Sequence, residues 1–199
     1  MKITMALPGI IVLGILLSSC APQPFTISST TDKFSDPSAP DQILGINNRL
    51  SKKSSHGGVH IDERGVYLNP YALKEKKTGK IIEVGFSVRH LTFTPEDGFR
   101  PIEEIIFLTD RGERISVTVI GWDSDFKGWI NYRTTSEYNT LFTESGTGVI
   151  SYDDFSRLAA ARSMDVKIRG GKLSQTYGEN VIFPEFLPNL RQFRDAMIK

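Results

Sequence analysis

Residues 80–90, KIIEVGFSVRH, alternate between apolar and polar side chains, and this alternation is the strongest structural signal in the chain. Successive side chains of an extended strand point to opposite faces, so every second residue shares a face. The apolar members fall on one face: Ile82, Val84, Phe86 and Val88. The run therefore predicts a half-buried β-strand. Leu91 and Phe93 break the alternation, and we expect a bulge near His90 that returns the apolar side chains to the core face.

The segments that follow extend this β pattern. Residues 102–109 and 114–121 are rich in β-branched and aromatic residues. The turn between them, residues 110–113, contains Gly112, which can take the left-handed position of a hairpin. Weaker β patterns occur in three further runs: residues 66–73, 127–135 and 138–142. Together these runs predict an antiparallel, β-rich domain.

Two helices and a late hairpin are expected in the last fifty residues. Ser151, with acidic residues after it, predicts an N-cap, and the second helix should run from about Pro188. Between the helices, Gly170-Gly171 predicts a tight two-residue hairpin turn. That turn would pair Ile168 with Leu173 and direct both towards the core together with Val166.

The expected fold class is therefore α+β. It consists of a single antiparallel β-rich domain over residues 59–199, with two helices in its C-terminal half and the late Gly-Gly hairpin. A segment of about 140 residues is large enough to bury a core without staples. We find no internal repeat, and the domain resembles no family that we recognise.

The N-terminus has the three parts of a secretory signal peptide, over residues 1–19. A positive start at Lys2 is followed by a short apolar run and then by Leu17-Ser18-Ser19-Cys20. As a helix, residues 3–17 would reach only about 22 Å. That is too short for a hydrocarbon core of about 30 Å. A cleaved signal peptide is therefore favoured over a transmembrane anchor.

Leu17-Ser18-Ser19-Cys20 resembles the lipobox of bacterial lipoproteins. The resemblance implies cleavage before Cys20, a diacylglyceryl thioether on its sulfur and a third acyl chain, such as palmitate, on its amine. Cys20 is therefore the predicted lipidation site and membrane lipid the predicted partner. By the sorting rule of enteric bacteria, Ala21 lacks the aspartate that resembles an inner-membrane retention signal, which favours the outer membrane.

Residues 20–58 are rich in Pro, Ser, Thr, Asp and Gly, and such segments bury too little apolar surface to offset their ordering entropy. We expect a flexible tether that holds the folded domain clear of the lipid headgroups. Its first twenty residues would span roughly 25 Å. Within it, residues 41–50 could form one helical face after the Asp41 cap.

Charge and cysteine content exclude several classes of function. The chain has 24 Lys and Arg against 23 Asp and Glu, and Lys2 lies in the signal segment, so the charges of the remainder balance. Nothing in this balance points to nucleic acid. Cys20 is the only cysteine, and its acylation would leave no thiol for disulfides, thiolate metal sites or a cysteine nucleophile.

The sequence predicts no catalytic, cofactor-binding or metal-binding residues. His56 and His60, followed by Asp62 and Glu63, offer zinc ligands, but the two glycines between the histidines prevent a helical i, i+4 pair. Residues 123–128 begin like a calcium loop, but lysine occupies the third ligand position and Thr134 the twelfth, so we expect a solvated turn.

Two other patterns are typical of catalytic sites and are incomplete here. Residues 145–148, SGTG, lack the remaining features of a nucleotide-binding loop and are interpreted as a linker into the helix. No Gly-x-Ser-x-Gly nucleophile elbow is present. Carboxylates are numerous, but no two of them are marked as a glycosidase pair by their surroundings.

Two surface patterns are more typical of contact than of catalysis. Residues 74–80 carry four lysines, which can either contact anionic headgroups or form a solvated hairpin tip. Residues 122–142 are crowded with aromatic side chains, which form either a core or a binding platform. We predict that Trp129 belongs to the core.

These observations predict a lipid-anchored lipoprotein of the cell envelope with a binding or scaffolding role rather than catalysis, and with an envelope protein as a possible partner. The alternative is a membrane-anchored hydrolase that acts on wall or glycan substrates. The two differ in what they should present. A hydrolase needs a cleft with His60 or His90 beside paired carboxylates, whereas a binding module needs an apolar or aromatic patch.

Overall fold

The computed structural model describes residues 23–30, 38–51, 65–92, 98–130 and 139–198, with only the backbone of residues 126–130 and 139–141. The predicted signal segment 1–19 and Cys20 lie outside these ranges, as do His56, His60, Asp62 and Glu63. The described strands are Thr26–Thr30 (β1), Asp41–Ile46 (β2), Gly65–Lys74 (β3), Ile81–Thr92 (β4), Ile102–Thr109 (β5), Arg114–Thr118 (β6), Ile120–Ile130 (β7), Asn139–Ile150 (β8), Met164–Gly170 (β9) and Ser174–Tyr177 (β10). The helices are Tyr152–Ala160 (α1) and Phe186–Met197 (α2).

The strands form two antiparallel sheets. Sheet A has six strands in the order β1-β2-β3-β4-β8-β7, and sheet B has four in the order β10-β9-β5-β6. Both helices lie in the C-terminal half of the chain. The predicted fold class, an antiparallel β-rich α+β domain with two late helices, is confirmed.

The core lies between sheet A and a layer made of sheet B and the helices. The Phe86 ring of β4 is at its centre, with ring centroids 5.5 Å from Phe107 of β5 and 5.6 Å from Phe155 of α1. Phe155 in turn meets Phe193 of α2 at 5.9 Å. All four rings are fully buried, and burying such a side chain contributes roughly 1.5–3 kcal/mol.

The alternating run of residues 80–90 forms β4 as predicted, but the bulge is at its other end. His90 pairs with Val66 and Glu144 without a register shift, so the alternation continues. Leu91 therefore points to the opposite face, where it packs with Tyr67. The irregularity falls at Ile82, which the β3–β4 pairing skips, and this residue is 56% exposed. The expected bulge near His90 is wrong because the opposite face has an apolar cluster of its own.

The tether expected over residues 20–58 is contradicted by β1 and β2. β1 pairs with β2, and β2 pairs with β3, so both strands belong to sheet A. The helix considered for residues 41–50 is likewise wrong: Ile43 faces the core from β2, and Leu50 is fully buried beyond its end. The folded domain thus begins before residue 59, because strand pairing satisfies backbone groups in a segment whose composition is mostly polar.

The hairpin predicted at residues 110–113 is confirmed. β5 and β6 flank it, and Gly112 has a φ of 75°, the left-handed value for which glycine is suited. The expected strand over residues 114–121 divides in two: β6 ends at Thr118 in sheet B, and β7 begins at Ile120 in sheet A.

Residues 127–130 of one predicted strand form the end of β7, and residues 139–142 of the other form the start of β8. β7 and β8 pair with each other, and residues 131–138 lie outside the described ranges. The expected solvated turn at residues 123–128 is wrong, since this segment lies within β7. The expected linker at residues 145–148 is also wrong, since it lies within β8.

The glycines of residues 145–148 are needed for close packing. A Cβ on Gly146 would lie 2.5 Å from Cγ1 of Val119, and one on Gly148 would lie 2.4 Å from Cγ1 of Val117. These contacts bring the end of β6 against β8 where the chain crosses from one sheet to the other. Glycine at a strand interior often marks such a close approach.

Both predicted helices are present. The Ser151 hydroxyl accepts the Asp154 backbone N–H at 3.0 Å and donates to the Asp154 carboxylate at 2.7 Å, so the predicted N-cap of α1 is confirmed. α2 begins at Phe186, two residues before the expected Pro188. Its buried face carries Phe186, Leu190, Phe193 and Met197.

The late hairpin is present, but its turn is displaced by one residue: the Gly170 N–H donates to the Leu173 carbonyl at 2.8 Å, so Gly171 and Lys172 are at the tip. β9 and β10 pair Arg169 with Ser174 and Ile168 with Gln175, so Ile168 is not opposite Leu173. Val166 and Ile168 are buried as expected, and Leu173 is partly buried. The predicted position of the turn is therefore wrong, and the two glycines instead allow the close approach to residues 99–101 that is described below.

Candidate functional site

A buried His90–Glu144 pair is the main polar feature of the core. The two residues are directly opposite each other on β4 and β8, on the face that points into the core. The His90 Nδ1 atom lies 3.0 Å from Glu144 Oε2, and the side chains are 9% and 0% exposed. A carboxylate removed from water in this way is costly unless hydrogen bonds compensate for its lost hydration.

Backbone groups supply that compensation. The Phe99 N–H donates to Oε2 of Glu144 at 2.8 Å, and the Arg100 N–H donates to Oε1 at 2.8 Å. Burial alone raises the pKa of Glu144, but the hydrogen bonds from His90, Arg100 and Phe99 outweigh it, so this pKa lies below its ordinary value. Glu144 is thus a carboxylate at neutral pH, and the His90 Nδ1–H donates to it.

The segment that Glu144 holds, residues 98–101, is packed on both sides. The His90 and Phe99 rings pack in an edge-to-face arrangement, with their centroids 4.9 Å apart. The Arg100 guanidinium lies 5.1 Å from the centroid of the Phe142 ring. The backbone of Arg100 has a φ of 41°, a value that residues other than glycine rarely adopt. The carboxylate therefore holds an unusual backbone turn in place.

The Gly170-Gly171 turn is attached to the same segment from sheet B. The Gly171 N–H donates to the Pro101 carbonyl at 3.0 Å, and the Lys172 N–H donates to the Phe99 carbonyl at 2.8 Å. A Cβ on Gly170 would lie 2.5 Å from each of the Phe99 and Pro101 carbonyl oxygens. Residues 99–101 thus form a link between the two sheets. We call this link, from Glu144 through residues 99–101 to Gly171, the sheet-bridging loop.

This arrangement suits structure better than catalysis. Both oxygens of Glu144 already accept hydrogen bonds from the fold, so neither is presented to a substrate. Within the described ranges, no three His, Cys, Asp or Glu side chains come together as a potential metal site. The His90–Glu144 pair therefore has a structural role, which is to hold residues 99–101 in place.

Sheet A exposes apolar side chains on the face turned away from the helices and sheet B. Leu44, Tyr71, Gly85 and Val149 form one row across four strands. Ile120 lies on the same face, opposite Thr147. Val149 is 50% exposed and Ile120 is 61% exposed. We call the surface formed by Leu44, Tyr71, Ile120 and Val149 the open face.

Tyr71 is fixed in position on the open face. Its ring lies over Gly85, where an added Cβ would come within 2.5 Å of it. Its hydroxyl donates to Glu83 at 2.8 Å, and the pKa of Tyr71 is raised, first by burial and then by this carboxylate. An aromatic ring that covers a glycine of a neighbouring strand stabilises the sheet and leaves a flat apolar surface.

The aromatic segment of residues 122–142 has both a buried and an exposed side chain in its described part. Phe142 is buried, with 3% exposed, and Trp122 is 39% exposed. The side chain of Trp129 lies among those not described, so its assignment to the core stays a prediction. Asp123 and Asp125, from the calcium-like pattern, are exposed on β7.

Sequence reasoning missed Glu144, although a signal for it was present. Phe142, Glu144, Gly146, Gly148 and Ile150 alternate along β8, so an acid stands in the inward-facing series of a strand. A charged residue in such a position is rarely buried unless it is paired. The signal was hidden because residues 145–148, which continue the alternation, were interpreted as a linker.

Comparisons with protein-family models, curated proteins and solved structures found no match to this chain. Neither helix in the described part of the chain has the length and hydropathy of a membrane-spanning segment.

Proposed function

We propose that the protein is a lipid-anchored lipoprotein of the cell envelope, and that its domain binds or scaffolds an envelope partner. The lipobox resemblance of Leu17-Ser18-Ser19-Cys20 supports the anchor, since Cys20 is the only cysteine and follows a signal-like segment. Ala21 in place of aspartate supports the outer membrane as its location.

The open face is the observation that carries the binding role. Val149 and Ile120 are at least half exposed, and the row from Leu44 to Val149 crosses four neighbouring strands. A contiguous apolar surface of this kind costs solvation free energy when left in water, and it is typical of protein contact sites. A binding module was expected to present such a patch.

The anchored hydrolase has less support. Its expected site was a cleft with a histidine beside paired carboxylates. The described histidine, His90, contacts a single carboxylate, that of Glu144, and both oxygens of that carboxylate already accept hydrogen bonds from backbone N–H groups. No observation in the described part of the molecule favours that alternative over binding.

The anchor is tested by the mass of the N-terminal peptide from membranes. We expect a peptide that starts at Cys20 and carries acyl chains, because each buried CH₂ contributes about 0.8 kcal/mol and more than one chain gives stable attachment. The variant Cys20→Ser should lack the acyl mass and leave the membrane fraction. An unmodified peptide that begins upstream of Cys20 would show that the anchor is wrong.

The binding role is tested by site-specific photo-crosslinking in intact cells. A photoreactive residue at Ile120 or Val149 should capture the same envelope protein, and one at Leu108 should not. Leu108 is a matched control because it is 45% exposed but lies on sheet B. Equal capture at all three positions, or none at the first two, would contradict binding through the open face.

A further inference from the structure

The folded domain begins very close to the predicted lipidation site. The Phe25 ring lies against Gly45 and packs against the core, and β1 starts at Thr26. Only six Cα–Cα steps separate Cys20 from Thr26, and a fully extended chain of that length spans at most about 22 Å. An acylated Cys20 would therefore hold the domain next to the membrane surface instead of clear of it.

The tip of the β3–β4 hairpin lies at the end of sheet A towards which β1 runs, away from Thr26. β1 is the edge strand. Its last residue, Thr30, pairs with Gln42 of β2, and Gln42 pairs with Leu73 of β3, just before the hairpin tip. β1 thus runs towards the tip, and Thr26 lies roughly 25 Å from it along the strands, at about 3.3 Å per residue. A domain attached near Thr26 can lie with both β1 and this tip at one surface.

The tip, residues 74–80, is rich in cations. Lys77 and Lys80 are exposed, and Lys74 and Lys76 are partly exposed. The one acidic residue, Glu75, accepts a hydrogen bond from the Thr78 hydroxyl within the turn. The turn is closed by the Glu75 N–H to the Lys80 carbonyl and the Gly79 N–H to the Glu75 carbonyl, each at 2.8 Å.

An exposed apolar residue adjoins these lysines. The irregular pairing at the start of β4 leaves Ile82 56% exposed, two residues from Lys80. Lysine side chains extend their charged ends towards phosphate groups, and an apolar neighbour enters the boundary between headgroups and acyl chains. This combination fits the surface of an anionic bilayer.

We propose that the β3–β4 hairpin docks on anionic phospholipid headgroups, so that the acyl chains on Cys20 and the lysines of residues 74–80 hold sheet A in one orientation at the membrane. The proposal rests on the proposed acylation of Cys20. Each lysine near an anionic surface strengthens such contact by about fivefold. Four of them are enough to select one orientation of a domain that the anchor already holds nearby.

The test uses the acylated full chain in vesicles of phosphatidylcholine, with and without phosphatidylglycerol. A fluorophore is attached at Ile82→Cys, or at Leu108→Cys on sheet B as the control site. Since Cys20 is acylated, the introduced thiol is unique. We expect quenchers on the lipid headgroups to quench the label at position 82 only in vesicles with phosphatidylglycerol, and to leave the label at position 108 unquenched.

Two variants with equal charge loss separate specific docking from net charge. The first replaces Lys74, Lys76, Lys77 and Lys80 with Gln, and the second replaces the exposed cations Arg111, Arg114, Lys167 and Lys172 with Gln. The first should reduce the ratio of docked to free orientations at least about tenfold, and the second should leave it unchanged. Denaturation midpoints equal to that of the parent would show that both variants are folded.

The possible failures can be told apart. If the protein remains bound to the vesicles in a flotation assay but quenching at position 82 does not depend on phosphatidylglycerol, the hairpin contact is wrong and the lipid anchor stands. The same holds if the lysine variant is quenched like the parent. If the N-terminal peptide carries no acyl chain, both the anchor and the docking proposal are overturned.

Discussion

Replacement of Glu144 by Gln tests the role of the sheet-bridging loop. Gln has the shape of Glu and keeps one oxygen, but it lacks the charge and places an NH₂ group opposite a hydrogen-bond donor. The parent carboxylate accepts from the Phe99 and Arg100 N–H groups, both at 2.8 Å, and contacts His90 Nδ1 at 3.0 Å. We therefore expect the variant to loosen the attachment between the two sheets.

The magnitude follows from the burial of these groups. A hydrogen bond to a charged group contributes about 1.5–3 kcal/mol, and contributions within one network are not additive. Breaking a buried pair by changing one partner costs about 3–5 kcal/mol. The free energy of unfolding of a domain is about 5–15 kcal/mol, so the loss should be a large part of the total.

Urea denaturation of the mature chain with Cys20→Ser measures this loss. The control is Glu103→Gln, whose side chain is 45% exposed and lies 3.8 Å from the exposed Arg169, so its effect should stay within about 0.5 kcal/mol. A Glu144→Gln midpoint equal to that of the parent would refute the view that this carboxylate holds the loop.

The same carboxylate predicts a dependence of stability on pH. In the folded protein the pKa of Glu144 is below its ordinary value, whereas in the unfolded chain it should be near 4.3. Its contribution is therefore complete above about pH 4.3, and it is lost as the pH falls through the folded pKa. The gap in unfolding free energy between parent and Glu144→Gln should shrink on acidification. A constant gap would contradict the assigned pKa direction.

Two further predictions concern the turn of sheet B and the aromatic segment. Gly170→Ala should lower the free energy of unfolding by about 1–3 kcal/mol, because its Cβ would lie 2.5 Å from the Phe99 and Pro101 carbonyl oxygens. The control, Lys172→Ala, keeps its backbone hydrogen bond and should be nearly neutral. Similar denaturation midpoints for the two variants would contradict the close approach. Trp129→Ala should cost about 3–5 kcal/mol if its ring belongs to the core, and a midpoint near that of the parent would overturn this. Trp122→Ala is the matched control, since its ring is 39% exposed.

The pattern of residues was sufficient for the general architecture. The alternation in residues 80–90 determined β4, because alternating apolar and polar residues indicate a strand with one buried face, whatever its partners are. The Gly112 turn and the Ser151 cap were equally local, because each depends on a few consecutive residues. These features required no knowledge of distant partners.

Composition was misleading where a polar segment completes a sheet. β1 and the start of β2 contain few apolar side chains, and a tether was expected there. Their order comes from backbone pairing with a strand far along the chain, and composition does not report such pairing. The short distance from Cys20 to the domain, and with it the proposed hairpin contact, follows from this pairing.

Local sequence predicted β3, β4, β5, β6, β9 and β10, both helices and the turn between β5 and β6, because each is encoded by neighbouring residues. The resemblance of Leu17-Ser18-Ser19-Cys20 to a lipobox is equally local. Only the tertiary structure decided that Glu144 is buried beside His90, that it binds residues 99–100, and that Gly170-Gly171 approaches the same segment. Glu144 is separated from Phe99 by 45 positions, and no local pattern encodes the distance between them. Their contact exists because β8 of sheet A and the segment before β5 of sheet B meet where the two sheets pack across one core.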